Sequence, residues 1–221
     1  MAIAVIGRGL IGSAAARHLA KAGQEVTLIG PSEPADKAAH DGVFASHYDE
    51  GRITRALDPV PFWSRVSRAS IARYREIEAQ SGVPFFAEVG ALIAGPEGSA
   101  PMQSVEAVRA ADDIPCEICD DAALAERFPY FAFLAGSVGY HEPAGAGHVS
   151  PRRLARAQGL AAERAGARIV DAIARGIEEA PGGVRVVTDA GPVEAERVLV
   201  AAGGFTNMVL PEPLPITVYA R

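Results

Sequence analysis

A glycine turn near the amino terminus carries the clearest chemistry in the sequence. Residues 7–12 read Gly-Arg-Gly-Leu-Ile-Gly. In this pattern Gly7 permits a tight bend, Gly9 lets the backbone approach a pyrophosphate, and Gly12 allows a helix to pack closely on a sheet. The N–H groups at the start of the following helix would bind the phosphates. The turn therefore predicts a dinucleotide site, with Leu10 and Ile11 beside the ligand.

The elements around the turn are those that such a site requires. Residues 2–6 predict a strand, residues 13–22 an alanine-rich helix that ends at Gly23, and residues 25–29 a second strand. Together they form a βαβ crossover. This context distinguishes a dinucleotide-binding turn from glycines that serve only the fold.

One expected residue of the site is missing. An acidic side chain usually binds the adenosine ribose from the end of the second strand, but here Ile29 is followed by Gly30. Two interpretations remain open: Glu33 or the hydroxyl of Ser32 reaches the ribose from just beyond the strand, or Glu33 is a solvated loop charge. Because no arginine for a 2′-phosphate stands there either, this position does not choose between NAD, NADP and FAD.

The rest of the chain reads as helices alternating with short strands. Residues 30–58 predict a long loop, and long ordered loops in compact domains tend to be functional. Further helices are predicted at residues 59–80, 103–111, 121–127 and 151–165, and strands at 85–94, 116–119, 167–173, 184–188 and 197–202.

Six segments in a fixed order settle the choice of dinucleotide. They are the glycine turn and residues 46–55, 89–93, 128–129, 139–152 and 198–205. Together they resemble the D-amino-acid oxidase family of flavoproteins, with the closest likeness to its sarcosine-oxidase and glycine-oxidase branch. The resemblance covers nearly the whole chain and implies FAD as the cofactor.

The resemblance also implies a fold. It is α/β, with a Rossmann-type FAD-binding domain of the glutathione-reductase kind and part of an α+β substrate domain of mixed sheet. The FAD-binding domain would be discontinuous, comprising residues 1–82 and 143–204. Residues 83–142 and 205–221 would form the partial substrate-binding domain.

Individual site residues follow from the same resemblance. Those implied to bind FAD are Gly7, Gly9, Leu10, Ile11, Gly12, Ser32, Glu33, Ser46, Arg52, Ile173, Ala202, Gly203 and Gly204. The backbone of residues 172–174 would border the adenine, and Arg52 and His47 would be the catalytic residues near the flavin. A guanidinium there favours the anionic reduced cofactor or binds a substrate carboxylate. The alternatives are a solvated charge for Arg52 and a structural role for His47.

The implied activity is oxidation of an amine or amino acid at its C–N bond, with hydride passing to flavin N5 and an imine as product. The cofactor would carry the electron chemistry, and the protein would supply position and charge. A non-catalytic FAD-binding subunit of a complex is one alternative. An NAD-dependent dehydrogenase is another, disfavoured by the long segment between Gly82 and Glu142.

Composition restricts the partners and the location. A net charge of −6 argues against capture of nucleic acid or an anionic membrane. No apolar run approaches the roughly 20 residues of a membrane helix, and no basic leader precedes the first strand. Cys116 and Cys119 are the only cysteines and have the CxxC spacing of some metal and redox sites. Because there is no second CxxC pair, they are predicted to be buried or edge thiols, not metal ligands. We therefore expect a cytoplasmic protein.

The end of the chain carries a further expectation. Members of the family continue past the position of Arg221, and a substrate-domain strand would be entering at residues 216–221. An open sheet edge and an unfinished flavin pocket would leave backbone groups and apolar surface uncovered. We therefore expect a second polypeptide to complete the fold.

Overall fold

The computed structural model describes residues 1–218 and divides into two compact units. Unit 1 consists of residues 1–50, 77–84 and the described part of 151–221, and unit 2 of residues 51–76 and 85–150. Parallel and antiparallel sheets are both present, so the predicted α/β class is confirmed. The units have different bounds from the predicted domains: residues 51–76 and 143–150 group with unit 2, and residues 205–218 with unit 1.

The helices and strands follow in chain order. The helices are α1 (Leu10–Lys21), α2 (Pro61–Ser81), α3 (Ala100–Asp112), α4 (Asp121–Arg127), α5 (Pro151–Arg164), the 3₁₀ turn η1 (Gly203–Phe205) and α6 (Thr206–Val209). The strands are β1 (Ala2–Ile6), β2 (Glu25–Ile29), β3 (Arg52–Thr54), β4 (Phe86–Ala87), β5 (Ala91–Pro96), β6 (Glu117–Cys119), β7 (Ser137–Glu142), β8 (Gly147–Val149), β9 (Arg168–Val170), β10 (Ala174–Ala180), β11 (Gly183–Thr188), β12 (Val193–Ala195) and β13 (Arg197–Val200).

Unit 1 is built on a four-stranded parallel sheet. Its strand order is β13-β1-β2-β9, and Ala4 and Val5 of the interior strand β1 are fully buried. Strands buried on both faces read as continuous apolar runs, which is why the first strand is easily recognised in the sequence. One face of the sheet packs on α1 and α5, and the other shares a core with the antiparallel sheet β10-β11-β12.

Small side chains let α1 approach the sheet and α5. Ala16 is fully buried, and the buried Arg17 donates from Nε to Gln158 Oε1 at 2.5 Å. The helix begins at Leu10, earlier than the predicted Ser13, so Gly12 lies in its first turn. Residues 10–12 therefore belong both to the glycine turn and to the first turn of α1.

Unit 2 contains two antiparallel sheets, with strand orders β3-β8-β4 and β5-β7-β6. Its core includes Leu57, Val105 and Tyr140. The carboxylate of Glu142 is also buried and accepts hydrogen bonds from the backbone N–H groups of Ala56 at 2.8 Å and Leu57 at 3.0 Å. Burial raises the pKa of Glu142, and these two hydrogen bonds oppose that rise.

Two findings bear on the expectations about membranes and the end of the chain. Within residues 1–218, no helix has both the length and the apolar character needed to cross a membrane. Residues 216–218 are not in a strand. The remainder of the strand predicted at 216–221 lies outside the described residues.

Candidate dinucleotide site

A cavity of about 810 Å³ lies in unit 1 at the carboxyl ends of β1 and β2. Ligands of open α/β sheets bind at this edge, and the volume falls within the range typical of small-molecule sites. Its lining comprises residues 6–11, 29–31, 43–49, 173–174, 201–205, 208–209 and 218. The cavity thus brings together Gly7, Gly9, Leu10, Ile11, Ser46, His47, Ile173, Ala202, Gly203 and Gly204 of the predicted site.

The glycine turn is too tightly packed to hold side chains at two of its positions. Gly7 has φ +112°, and a Cβ there would lie 2.2 Å from the carbonyl oxygen of Ala201. A Cβ on Gly12 would lie 1.7 Å from the carbonyl oxygen of Gly7. Gly12 does not line the cavity but lets α1 start directly against the turn. Both glycines are therefore required by the geometry.

The start of α1 is suited to an anion. Gly9 is the N-cap residue and no acidic side chain occupies the first turn, so the partial positive charge of the helix end is not neutralised there. A Cβ on Gly9 would have only the His47 ring within 4 Å, at 3.7 Å. The turn therefore exposes backbone toward the cavity, as a pyrophosphate requires.

The loop over the turn contributes aromatic rings. His47 is buried, with its ring centroid 4.7 Å from that of Tyr48, and Tyr48 in turn lies 4.9 Å from Phe44 in an edge-to-face arrangement. Burial raises the pKa of Tyr48. His47 thus lies beside the glycine turn, on the wall of the cavity.

Apolar side chains that are exposed to solvent also line this cavity. They belong to Ile11, Phe44, Met208 and Val218. Exposed apolar side chains that converge on a concave surface are typical of a ligand-binding groove. The 3₁₀ turn η1 lies among them, with Gly203 at φ +56°.

Ser32 and Glu33 do not line the cavity. The backbone N–H of Ser32 donates to Asp171 Oδ1 at 2.9 Å, and its hydroxyl donates to Asp171 Oδ2. Glu33 pairs with Lys37 at 2.5 Å and with Arg152 at 2.8 Å. Burial alone would raise the pKa of Glu33, but the hydrogen bonds from Lys37 and Arg152 lower it. Glu33 is therefore a loop charge held in ion pairs with Lys37 and Arg152.

Arg152 holds the loop that contains residues 43–49. Besides its contact with Glu33, it donates to the carbonyl oxygen of Tyr48 at 2.7 Å and to the carboxylate of Glu50. These contacts give Arg152, at the start of α5, a positioning role at the cavity.

Arg52 belongs to unit 2. It is the first residue of β3, where its backbone pairs with Val149, and it is exposed. The loop from Ser46 to Arg55 is thus divided: residues up to Glu50 belong to unit 1, and residues from Gly51 onward belong to unit 2.

Several lining residues escaped the sequence analysis. Arg8, Phe44, Tyr48 and Met208 line the cavity but were not among the predicted site residues. Arg8 and Tyr48 could have been identified, because Arg8 stands between two glycines of the turn and Tyr48 lies in the segment 46–55. The others depend on how loops fold back, which local pattern does not reveal.

The residues present fit FAD. The glycine turn and the start of α1 would hold the pyrophosphate through backbone N–H groups. Only glycine permits this turn at positions 7 and 12, since a Cβ at Gly7 or Gly12 would collide with backbone. The apolar wall would cover the flat ring systems at either end of such a ligand.

Comparison with known proteins agrees with this geometry. N-methyl-L-tryptophan oxidase of Yersinia pestis is 30% identical over 216 residues, which cover 96% of this chain and 56% of the relative. The chain thus spans about half the length of the curated relatives it matches. Glycine oxidase from Geobacillus kaustophilus aligns with a TM-score of 0.73 at 22% identity, over 93% of this chain and 56% of that one.

A second solved structure shares the fold. L-proline dehydrogenase from P. horikoshii has a TM-score of 0.73 at 19% identity, over 94% of this chain and 54% of that one. The family model "DAO: FAD dependent oxidoreductase" matches residues 2–221. The chain therefore belongs to the DAO family of FAD-dependent oxidoreductases.

Proposed function

We propose that this chain is the FAD-binding part of an enzyme that oxidises an amine or amino acid at its C–N bond. The observation that carries the proposal is the cavity at the edge of the parallel sheet, with the glycine turn and the start of α1 on its wall. Membership of an FAD-dependent family supports the cofactor. The amine substrate class is supported by the likeness to N-methyl-L-tryptophan oxidase.

The residues of this chain would divide the work. Gly7, Gly9 and Gly12 would bind the pyrophosphate through the backbone, and residues 173–174 and 202–204 would enclose the rest of the dinucleotide. When bound, FAD supplies the acceptor for the hydride that leaves the substrate carbon. His47 would orient the ligand from beside Gly9, near which it lies.

Arg52 would contribute a positive charge to the reaction. The resemblance implies that it stabilises the anionic reduced cofactor or binds a substrate carboxylate in a bidentate pair. Arg52→Ala should then slow flavin reduction or raise the substrate KM strongly, while Arg52→Lys should retain part of the activity because the charge is kept. Reduction rates for Arg52→Ala equal to wild type would remove Arg52 from the site.

The first experiment is an absorption titration with FAD of the native complex, this chain together with any polypeptide that copurifies with it, followed by anaerobic addition of substrates. The panel is N-methyl-L-tryptophan, L-tryptophan, glycine and L-proline, so that secondary and primary amines are compared. Bleaching of the flavin band by a member of the panel supports the proposal. A bound flavin that no amine reduces would favour the non-catalytic FAD-binding subunit, and failure to bind FAD would contradict both.

The assembly and the location are part of the same proposal. We propose that this chain works in a complex with a second polypeptide and that the enzyme is cytoplasmic. A native mass measured beside a denaturing gel tests the first point, and a stable monomer that binds FAD unaided would contradict it. Cell fractionation tests the second.

A further inference from the structure

The end of β2 has no room for the acid that usually binds the adenosine ribose. A Cβ on Gly30 would lie 2.6 Å from the Cβ of Arg8 and 2.7 Å from its backbone nitrogen. The second of these neighbours is backbone, so it cannot turn aside as the end of a flexible side chain does. A carboxylate that binds the ribose would therefore have to come from another position.

Asp171 is an acidic residue at the same edge of the sheet, next to the cavity lining although not part of it. It follows β9, which pairs in parallel with β2 so that Val170 lies opposite Ile29. The backbone N–H of Gly30 donates to the carbonyl oxygen of Val170 at 3.1 Å. Asp171 is therefore one strand away from the missing acid, and Ile173, two residues further on, lines the cavity.

The carboxylate of Asp171 is held in place and remains accessible. Ser32 donates to it from both its backbone N–H and its hydroxyl, and Arg8 pairs with it at 3.4 Å. A carboxylate can accept about four hydrogen bonds, so these three leave room for another donor. Its side chain is 57% exposed.

The ionised form of this carboxylate is favoured. Burial alone would raise its pKa, but the hydrogen bonds from Ser32 and the charge of Arg8 lower the pKa of Asp171 below its ordinary value. An ionised carboxylate accepts only, which suits it to the two hydroxyl donors of a ribose.

We propose that Asp171 binds the adenosine ribose of FAD, in place of the acid that the end of β2 lacks. Ser32 and Arg8 are its positioning residues. This gives Ser32 an indirect role in place of the direct contact predicted from the sequence. The proposal rests on the binding of FAD described above.

The test compares FAD affinity in wild-type protein, Asp171→Asn and Glu179→Gln, measured by quenching of flavin fluorescence. Glu179 is an exposed carboxylate on β10 of the same unit, so it controls for the change in net charge. Loss of a charge-assisted hydrogen bond should weaken FAD binding about tenfold to a hundredfold in Asp171→Asn. Glu179→Gln should bind FAD as wild type does.

A second measurement separates ribose binding from altered folding. ADP, 2′-deoxy-ADP and 3′-deoxy-ADP compete with FAD for the site, and wild type should favour ADP over at least one deoxy analogue. In Asp171→Asn this preference should disappear, which a general loosening of the fold would not produce selectively.

Three outcomes would overturn the proposal. Asp171→Asn that binds FAD as tightly as wild type would do so, as would wild type with no preference for the ribose hydroxyls; in both cases FAD binding itself would stand. Wild-type protein that binds neither FAD nor ADP would overturn the proposed function as well.

Discussion

The two ends of the cavity in unit 1 are built in opposite ways. At the glycine turn, backbone lies against backbone, and no side chain fits at Gly7 or Gly12. At the end of β2 and in the loop that follows, side chains do the positioning, through Asp171 and Arg152. The first kind of construction is specified by local sequence and tolerates almost no change. The second depends on contacts between distant segments and should respond to substitution in smaller steps.

The largest effect is expected from Gly12→Ala. The added Cβ would overlap the carbonyl oxygen of Gly7 at 1.7 Å, so the turn or α1 must shift. We expect the free energy of unfolding to fall by about 1–3 kcal/mol and FAD affinity to fall on the order of a hundredfold. Denaturant unfolding and flavin titration measure the two quantities.

Gly159→Ala is the matched control for this substitution. Gly159 lies inside α5, and a Cβ there would meet nothing within 4 Å. Because alanine is the better helix former, the free energy of unfolding of this variant should rise by about 0.5–1 kcal/mol. Equal losses in both variants would mean that the turn is not the rigid end of the cavity.

Gly30→Asp tests whether the acid can be restored at the end of β2. The usual ribose-binding rule predicts tighter binding, whereas the collision with Arg8 predicts FAD binding weaker by about tenfold. Gly176→Asp adds the same charge where a Cβ meets nothing within 4 Å. Tighter FAD binding by Gly30→Asp would contradict this expectation and show that Arg8 can move to make room for the new side chain.

Arg152→Gln should have a smaller effect, confined to the loop. It removes the pairs with Glu33 and Glu50 while keeping a polar side chain. We expect FAD affinity to fall about fivefold, because ordering the loop would then oppose binding. Arg156→Gln, one turn further along α5 and exposed, should bind FAD as wild type does. Equal affinities in the two variants would rule out the positioning role.

The smallest effect concerns Glu33 and pH. Its pKa in the folded protein is lowered, so its pairs stabilise the loop above the ordinary value of 4.5 and are lost as pH falls through the lowered pKa. Wild type and Glu33→Gln should therefore differ in FAD affinity about twofold at pH 7 and converge in strongly acidic solution. A difference that grows on acidification would contradict this.

The same contrast explains which elements of the fold could be predicted from the sequence. The βαβ crossover was predictable because β1 is a buried apolar run and the glycines have fixed spacing. The strand β3 was missed within the predicted loop, since three residues carry no readable period. The strand β10 was missed because Gly176, Glu178 and Glu179 interrupt any apolar alternation.

The sequence gives little information on the ribose end for a different reason. Ser32 and Glu33 were chosen because they follow β2 in the sequence, yet their partners, Asp171 and Arg152, are more than a hundred residues away. A carboxylate brought in by a neighbouring strand has no fixed spacing from the glycine turn. Only the pairing of β2 with β9 reveals it.

The pairing of β1 with β13 has a consequence for how the protein folds. The two strands lie side by side although 194 residues separate Ile3 from its partner Arg197. Contacts of such separation close large loops and are formed slowly. On the ribosome, the edge of β1 that pairs with β13 keeps its backbone N–H and C=O groups unpaired until nearly the last of these residues has been made. The turn that is first in the sequence is therefore among the last parts of the cavity to be completed.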